Sequence, residues 1–187
     1  MQRNYDAYYH ALYRVAVLVN SSLKLSDVLV AVVRSVAEVL QAKACAIRLL
    51  DDEGKVLDLV ASFGLSERYL HKGPVSVSAS LIDREALTGK AVSVGEVAAD
   101  PRLQYPGELA REGIVSVLCA PLIRHDAPIG VMRVYTGERH TFAQDEIDFL
   151  QALADICALS IENARMYEAL QRTYTAGMDA LWGRSSR

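Results

Sequence analysis

The sequence lacks the features of a membrane-spanning or nucleic-acid-binding protein. Its longest stretch without Asp, Glu, Lys or Arg covers residues 113–123, only 11 residues, whereas a helix that spans a bilayer needs about 20. Lysine and arginine total 20 against 23 acidic residues, so there is no excess of positive charge for a phosphate backbone. The first residues also lack the basic start and apolar run of a secretory signal. We therefore expect neither a membrane nor a nucleic acid as a partner.

Cysteine is scarce as well. The chain carries Cys45, Cys119 and Cys157, an odd number of residues, far apart and without a CxxC pair. A disulfide framework or a zinc site needs paired, closely spaced cysteines, so buried or free thiols in a reducing compartment are the better interpretation. This pattern predicts a cytoplasmic protein.

The motifs of the common enzyme classes are also absent. GxSxG, HExxH, GxxxxGK[ST] and GxGxxG do not occur, which removes the usual signals of serine hydrolases, zinc proteases, P-loop proteins and dinucleotide-binding enzymes. The four histidines are scattered along the chain. We therefore expect no metal site and no catalytic activity.

Apolar residues are abundant by contrast, and they fall into helical and strand-like patterns. They make up 51% of the 187 residues, enough for one domain with a substantial core. Apolar positions repeat with a helical period in three segments, residues 3–19, 26–40 and 144–181. Ser26 is expected to cap the second helix, and Thr141 with Gln144 to form a capping box for the third. The polar residues 20–22 are expected to separate the first two helices.

The strand-like segments predict an antiparallel sheet that is covered on both faces. They are residues 44–50, 55–63, 75–77, 91–94, 114–123 and 129–136. In the two segments 44–50 and 114–123 both sets of alternate residues are mostly apolar, which is typical of a sheet with a layer on each side. The connections are mostly of hairpin length, including the four residues 125–128. The fold class expected is α+β.

Two arginines stand out because they lie inside apolar strands. Arg48 and Arg133 are flanked by apolar residues, and a charged side chain in such a place needs a partner or a wet pocket. In a hairpin, Arg48 would face Leu59. Two interpretations stay open: the arginines are tied to loop carbonyls or to Asp100, or they line a pocket for an anionic or carbonyl-bearing ligand. Further along, Ser80 and Asp83 read as a capping box that opens a short helix.

The order of these segments resembles a GAF domain, the small sensory module of signalling proteins. The residues that carry the resemblance are ACAIRLLD at 44–51 with Gly54, ASFGL at 61–65, Val92, DPR at 100–102, IVSVLCAPL at 114–122, IGVMRV at 129–134, FAQDEIDFL at 142–150 and ALSIENA at 158–164. The resemblance implies about six antiparallel strands, with terminal helices on one face. Short helices and loops should roof a ligand cavity on the other face.

The resemblance does not identify the ligand. Members that bind cyclic nucleotides carry Asn-Lys, then Phe followed after three residues by Asp-Glu; here Phe142 and Asp145 are separated by only two residues. Members that bind bilins covalently carry a cysteine beside a histidine, and no cysteine here has that neighbour. The cofactor therefore stays unknown.

We expect a non-catalytic cytoplasmic sensory domain that binds a small molecule beneath the connection 95–113. The residues expected to line the site are Arg48, Ser62, Asp100, Arg102, Tyr105, Cys119, Arg133 and Tyr135. Two alternatives stay open. One is a thiol enzyme similar to the free methionine sulfoxide reductases of this family, with Cys45 and Cys119 near the cavity. The other is a dimerisation scaffold without a ligand.

The terminal helices predict a homodimer. A helix over 144–181 would be about 55 Å long, so its second half must pack on something beyond its own domain. We divide the chain into a dimerisation helix (1–24), a GAF-like domain (25–165) and a C-terminal extension (166–187). The expected interface consists of Tyr5, Tyr8, Leu12, Val15, Val19, Leu150, Ala154, Cys157, Ile161, Ala164, Leu170 and Tyr174. A separate output protein would read the signal.

Overall fold

A computed structural model describes residues 5–19 and 24–182. The elements in chain order are α1 (Tyr5–Val19), α2 (Leu25–Val39), β1 (Ala44–Leu50), β2 (Val56–Phe63), α3 (Glu67–Leu70), β3 (Val75–Ser76), α4 (Leu81–Ala86), β4 (Val92–Val94), a 3-10 turn (Val97–Ala99), α5 (Pro106–Arg111), β5 (Ser116–Arg124), β6 (Ala127–Thr136) and α6 (Gln144–Trp182). The break expected at residues 20–22 lies outside the described residues.

The six strands form one sheet in the order β3-β2-β1-β6-β5-β4, and every neighbouring pair is antiparallel. This confirms the predicted α+β class and strand number. Arg48 lies opposite Leu59 on β2 and opposite Val131 on β6, as the hairpin pattern predicted for Leu59. The long central strands β1, β6 and β5 therefore fix the register on which both covering layers are built.

The connection between β5 and β6 is shorter than expected. Only His125 and Asp126 lie between the two strands, and both have positive φ, 47° and 62°. Two residues of positive φ match the right-handed twist of the flanking strands. The turn is also tied to α6, because Arg124 and His125 both contact the carboxylate of Glu162.

Helices α1, α2 and α6 cover one face of the sheet, which we call the helix side. Cys45, Ile47 and Leu49 of β1 face these helices, and their alternation puts every second side chain of the strand into this core. The ring of Tyr8 on α1 stacks on that of Phe149 on α6, with centroids 4.6 Å apart. The helix side is therefore a continuous apolar core that joins both terminal helices to the sheet.

Helices α3, α4 and α5 and the 3-10 turn cover the other face and are called the roof. The buried side chains there include Tyr69, Ile82 and Leu109 from the roof, with Val117 and Tyr135 from the sheet. A layer on each face confirms the reading of the two-sided apolar strands. The 3-10 turn ends at Ala99, directly before Asp100.

Two helix starts differ from the predicted ones. The N-cap of α2 is Lys24, and Ser26 lies inside the helix without capping it. Helix α6 begins at Gln144 rather than at a box opened by Thr141, because the Glu146 carboxylate accepts the backbone N–H of Ala143 at 2.7 Å. Both predicted helices are present, but α2 begins two residues before and α6 two residues after the position that the predicted cap implies.

Burial divides the predicted dimer interface into buried, partly buried and exposed residues. Val15, Leu150, Ala154, Cys157 and Ile161 are at most 1% exposed, so these side chains pack within a single copy of the chain rather than on its surface. Tyr8, Leu12 and Val19 are partly buried and also pack against the helix-side core.

The exposed apolar side chains of the terminal helices include three of the predicted interface residues, Tyr5, Leu170 and Tyr174. Among the described residues they are Tyr5, Tyr9, Tyr13 and Val17 on α1, and Leu159, Met166, Tyr167, Leu170 and Tyr174 on α6. Beyond about residue 164 the described side chains of α6 are exposed, as the predicted length of that helix required. Within the described residues, no helix combines the length and the apolar character that crossing a membrane demands.

Gly130 is a point where the sheet tolerates no side chain. A Cβ there would overlap the backbone oxygen of Arg48 and lie 2.9 Å from Leu49 Cδ2. We expect Gly130→Ala to lower the free energy of unfolding by at least about 1–3 kcal/mol, since overpacking forces the backbone to shift. Urea denaturation followed by circular dichroism measures this.

Gly107→Ala is the matched control. Gly107 lies in α5 with nothing within 4 Å of the added methyl group, so the change should be neutral or stabilising by up to about 1 kcal/mol. Equal denaturation midpoints for the two variants would show that β1 and β6 are not as closely spaced as described.

Candidate ligand site between the sheet and the roof

A buried ion pair joins the centre of the sheet to the roof. Arg133 on β6 donates from Nε to Asp83 Oδ1 at 2.7 Å, and its NH2 contacts Asp83 Oδ2 and donates to Ser80 Oγ at 2.9 Å. Asp83 is fully buried and Arg133 is 4% exposed. Burial alone would lower the pKa of Arg133, but the Asp83 carboxylate raises it well above its usual range. Both charges are therefore held in place by each other.

This pair corrects two sequence expectations. Ser80 is the N-cap residue of α4, but its side chain makes no capping hydrogen bond, because its hydroxyl accepts from Arg133 instead. The partner of Arg133 is Asp83 and not Asp100. In the sequence, the Ser-x-x-Asp pattern is typical of a capping box. Asp83 was therefore assigned to the helix start and not recognised as the partner of Arg133.

Arg48, on the neighbouring strand, has a much weaker set of partners. It is 4% exposed and donates from NH1 to the backbone oxygen of Leu57 at 3.3 Å. Its Nε has no hydrogen-bond partner in the part of the chain that the structure describes. The predicted carbonyl partner is therefore present, though on a strand rather than a loop, and it leaves one buried donor unsatisfied.

Lys72 is a functional candidate that the sequence analysis missed. It lies between α3 and β3, and its Nζ is 4.2 Å from the ring centroid of Tyr69 and 5.6 Å from that of Tyr105. The Nζ atom is buried and finds no hydrogen-bond partner among the described residues. Burial, followed by the charges of Arg48 and Arg133, lowers the pKa of Lys72 to about 7. A lysine before Gly-Pro reads as a solvent-exposed loop residue, so no sequence signal marked it.

The two buried tyrosines lie beside these cations. The rings of Tyr69 and Tyr135 meet edge to face with centroids 6.3 Å apart. The Tyr135 hydroxyl is a further buried polar atom without a hydrogen-bond partner within residues 5–19 and 24–182. Burial, together with the nearby Tyr135, raises the pKa of Tyr69. The Tyr69 phenol therefore stays protonated at neutral pH.

Asp100 and Arg102 hold the roof together rather than meeting the central arginines. Arg102 donates from NH2 to Asp100 Oδ2 and from NH1 to Glu85 Oε2, both at 2.7 Å. Its hydrogen bond lowers the pKa of Asp100. The Arg102 backbone oxygen accepts the N–H of Leu81 at 2.8 Å. These contacts fasten the connection after β4 to α4, and a direct role in ligand binding stays a prediction.

Tyr105 is placed at the part of the roof that contains Lys72. Its hydroxyl donates to the backbone oxygen of Pro74 at 2.9 Å, and its ring lies over the Lys72 ammonium. Ser62 is half-buried on β2, opposite Ala46, and its predicted role likewise stays a prediction. The structure thus brings Arg48, Arg133, Tyr105 and Tyr135 around Lys72 and Tyr69.

The three thiols have the opposite properties from those of a nucleophile. Cys119 faces the roof, with its Sγ 3.5 Å from Asp83 Oδ1. Cys45 lies in the core on the helix side. The thiol-enzyme alternative placed both cysteines near one cavity, and the structure separates them. All three cysteines are buried. Burial raises their pKa values, that of Cys157 to about 12. Reactive cysteines need lowered pKa values and access, which argues against the thiol-enzyme alternative.

Large side chains occupy much of the space under the roof. Leu57, Tyr69, Ile82, Leu109 and Tyr135 are all at most 1% exposed. A molecule that bound there would be small or would displace Tyr69 and the adjoining part of the roof. The site therefore provides basic and phenolic hydrogen-bond donors in otherwise apolar surroundings.

An antiparallel sheet with terminal helices on one face and a roof of short helices on the other defines a class of small α+β domains. The sequence profile of the GAF domain matches residues 22–162. The chain belongs to the GAF domain family.

Known proteins agree with this assignment. The GAF domain of a phosphoenolpyruvate-protein phosphotransferase from Coxiella burnetii superposes with a TM-score of 0.77 at 26% identity, over 87% of this chain and 96% of that one. A free methionine-R-sulfoxide reductase from Neisseria meningitidis shares the fold, with a TM-score of 0.71 at 19% identity over 86% of this chain and 91% of the other.

One relative found by sequence comparison is named as a sensor. The methyl sulfide methyltransferase-associated sensor of Methanosarcina acetivorans is 27% identical over 165 residues, which cover 86% of this chain and 16% of that protein. The chain therefore spans about a sixth of the length of this relative.

Removing the partner of Arg133 should be costly. We expect Asp83→Asn to lower the free energy of unfolding by about 3–5 kcal/mol, because it leaves the Arg133 charge buried and unpaired. The double change Asp83→Leu with Arg133→Met should recover most of this loss, since it removes both charges together. Urea denaturation measures all three proteins.

Glu108→Gln serves as the control for the loss of a surface ion pair. Glu108 pairs with the exposed Arg111 on the same helix turn, and such pairs contribute at most about 1 kcal/mol. If Asp83→Asn cost no more than Glu108→Gln, the buried pair would not be the constraint described above.

Proposed function

We propose that the chain is a sensory domain that binds a small molecule between the sheet and the roof and has no catalytic activity of its own. The observation that carries this proposal is a group of buried polar atoms that find no hydrogen-bond partner in the described part of the chain: Arg48 Nε, Lys72 Nζ and the Tyr135 hydroxyl. Native proteins satisfy nearly all buried polar groups, since each orphan costs about 1–3 kcal/mol. A ligand that accepts hydrogen bonds from them would remove that cost.

The proposed signal passes from the roof to the terminal helices. The roof is tied through Asp83 and Arg133 to the centre of β6, and the two-residue turn that precedes β6 lies beside the contact of Arg124 and His125 with Glu162 on α6. A ligand that favours one arrangement of the roof would shift the population of helix arrangements in the same direction. The sensor relative supports a role of this kind.

We further propose that the signalling unit is a homodimer formed by the exposed faces of α1 and α6. Tyr9, Tyr13 and Val17 expose more than half of their surface, as do Leu170 and Tyr174. Exposed apolar patches of this kind mark interaction surfaces in soluble proteins. The residues involved are the outward ones, in place of the buried positions named from the sequence. A separate output protein would read the helices.

A scaffold without a ligand is the second candidate. The filled space around Tyr69 and Tyr135 favours it, since a packed roof could act as a structural layer only. The buried donors weigh against it, because a layer selected for packing alone gains nothing from the unsatisfied Nε of Arg48. The two functions differ in whether any small molecule stabilises the protein.

A thermal-shift screen of the full chain against a broad set of metabolites tests ligand binding. A ligand at one hundred times its dissociation constant adds about 2.7 kcal/mol of stability, which corresponds to a rise in melting temperature of about 5–10 °C for a chain of this size. We expect Arg48→Met to abolish this rise.

Arg84→Met is the matched control, because Arg84 is an exposed arginine on α4 and its loss should leave the shift intact. The proposal fails if no compound stabilises the protein, or if Arg48→Met retains the full response to every compound that does.

The dimer is tested by light scattering after size-exclusion chromatography. We expect the double variant Tyr13→Glu and Leu170→Glu to change the mass from twice the chain mass of 20.5 kDa to the chain mass itself, because two charges would be buried in an apolar interface. Val60→Glu changes an exposed apolar residue of β2 and should stay dimeric. A single-chain mass for the unaltered protein contradicts the proposal.

A further inference from the structure

The charges around Lys72 do not balance. The groups that act on it are Arg48 from β1, Arg133 from β6 and Asp83 from α4, together with the rings of Tyr69 and Tyr105. Asp83 is the one acid in this set, and both of its oxygens are engaged by Arg133. Arg48 and Lys72 are thus two basic side chains with buried nitrogens. Among the described residues named here, neither has a carboxylate of its own.

We propose that Arg48 and Lys72 form the recognition site for the carboxylate of a small organic acid, and that Lys72 takes up a proton when the acid binds. This inference rests on the proposed function, since it names the class of ligand for the same site. It goes beyond that function by naming Arg48 and Lys72 as the two residues that bind the charged group of the ligand.

The unsatisfied donors are of the kind from which a carboxylate accepts hydrogen bonds. A carboxylate offers two oxygens with about four acceptor positions, and Arg48 Nε and Lys72 Nζ are donors that find no acceptor among the described residues. Hydrogen bonds between ionised partners are roughly twice as strong as neutral ones. The apolar and aromatic side chains that fill the rest of the space restrict the site to acids with few atoms.

Proton uptake keeps the charge of the site constant. Burial and the charges of Arg48 and Arg133 lower the pKa of Lys72 to about 7. Well above pH 7 Lys72 is therefore neutral in the free protein, and Arg48, Arg133 and Asp83 together carry one net positive charge. A bound carboxylate favours the ammonium form of Lys72 and raises its pKa. One anion and one proton then enter together, and the net charge of the site is unchanged.

The same lysine connects the ligand to the roof. In the free protein the Lys72 Nζ lies 4.2 Å from the ring centroid of Tyr69 and 5.6 Å from that of Tyr105, and a bound carboxylate would draw it away from this position. Tyr105 in turn is hydrogen-bonded to Pro74, two residues after Lys72. Movement of the Lys72 head group towards a ligand therefore pulls on the contact between the α3–β3 turn and the residue that precedes α5.

The test compares acetate, lactate and succinate with their uncharged amides at constant ionic strength, by calorimetric titration of the full chain from pH 6 to pH 9. We expect at least one acid to bind at least tenfold more tightly than its amide. Its association constant should fall by up to about tenfold per pH unit above pH 7, the slope that uptake of one proton requires. Titrations in buffers of different ionisation enthalpy measure the uptake directly.

Variants separate the two residues. Lys72→Arg keeps a permanent charge, so binding should persist while the pH slope and the proton uptake disappear. Lys72→Met should weaken binding at least tenfold at pH 6.5. Arg48→Met should weaken binding at every pH but keep the slope. Circular dichroism confirms that each variant is folded, and Arg84→Met again serves as the control.

The outcomes distinguish this inference from the proposed function. Equal binding of an acid and its amide, or an unchanged pH slope in Lys72→Arg, overturns the inference. Binding of inorganic phosphate without any of the carboxylates also overturns it. If the metabolite screen finds only uncharged ligands, the sensory function stands and this inference alone fails. If it finds none, both fail.

Discussion

The ion pair between Arg133 and Asp83 is the constraint on which the rest of the roof side depends. Two charges buried beneath a layer of short helices would be prohibitively costly apart, so the position of α4 over the sheet is determined by the need to keep them together. Ser80 completes the arrangement by accepting a further hydrogen bond from the same guanidinium. The apolar residues of the roof then pack around this ion pair. Neither partner can shift without leaving the other charge unpaired in an apolar environment.

The roof is consequently held by two separate sets of contacts. Helix α4 is held by Asp83, and the connection after β4 is fastened to it through Arg102. The segment from α3 to Pro74 is held by different contacts, chiefly the hydrogen bonds of Ser66 to the Glu112 carboxylate and of the Tyr105 hydroxyl to Pro74. Lys72 lies in this second segment, so its surroundings do not depend directly on the ion pair between Arg133 and Asp83.

The sequence predicts the sheet well and the site only in part, and the reason is physical. Strand β1 and its pairing of Arg48 with Leu59 follow from local alternation and from a short hairpin, both of which are encoded within about twenty residues. The partner of Arg133 is 50 positions away in the chain, and nothing local distinguishes a buried Asp83 from a capping one. Lys72 reads as a loop residue because its burial is created by Tyr69 and Tyr105 together. The inward face of α1 could not be told from the outward one, since tyrosines occupy both.

Helix α6 has 39 residues and leaves the domain near Glu162, the residue to which Arg124 and His125 are attached. From that point to Trp182 the helix extends about 30 Å at 1.5 Å per residue. A small change in the angle of this helix at the β5–β6 turn would therefore move its far end by a larger distance. A tilt of about 5° at Glu162 displaces the far end by about 2.6 Å, half the pitch of a helix turn, so rearrangements at the sheet too small to disturb its hydrogen bonds are magnified at the distal end.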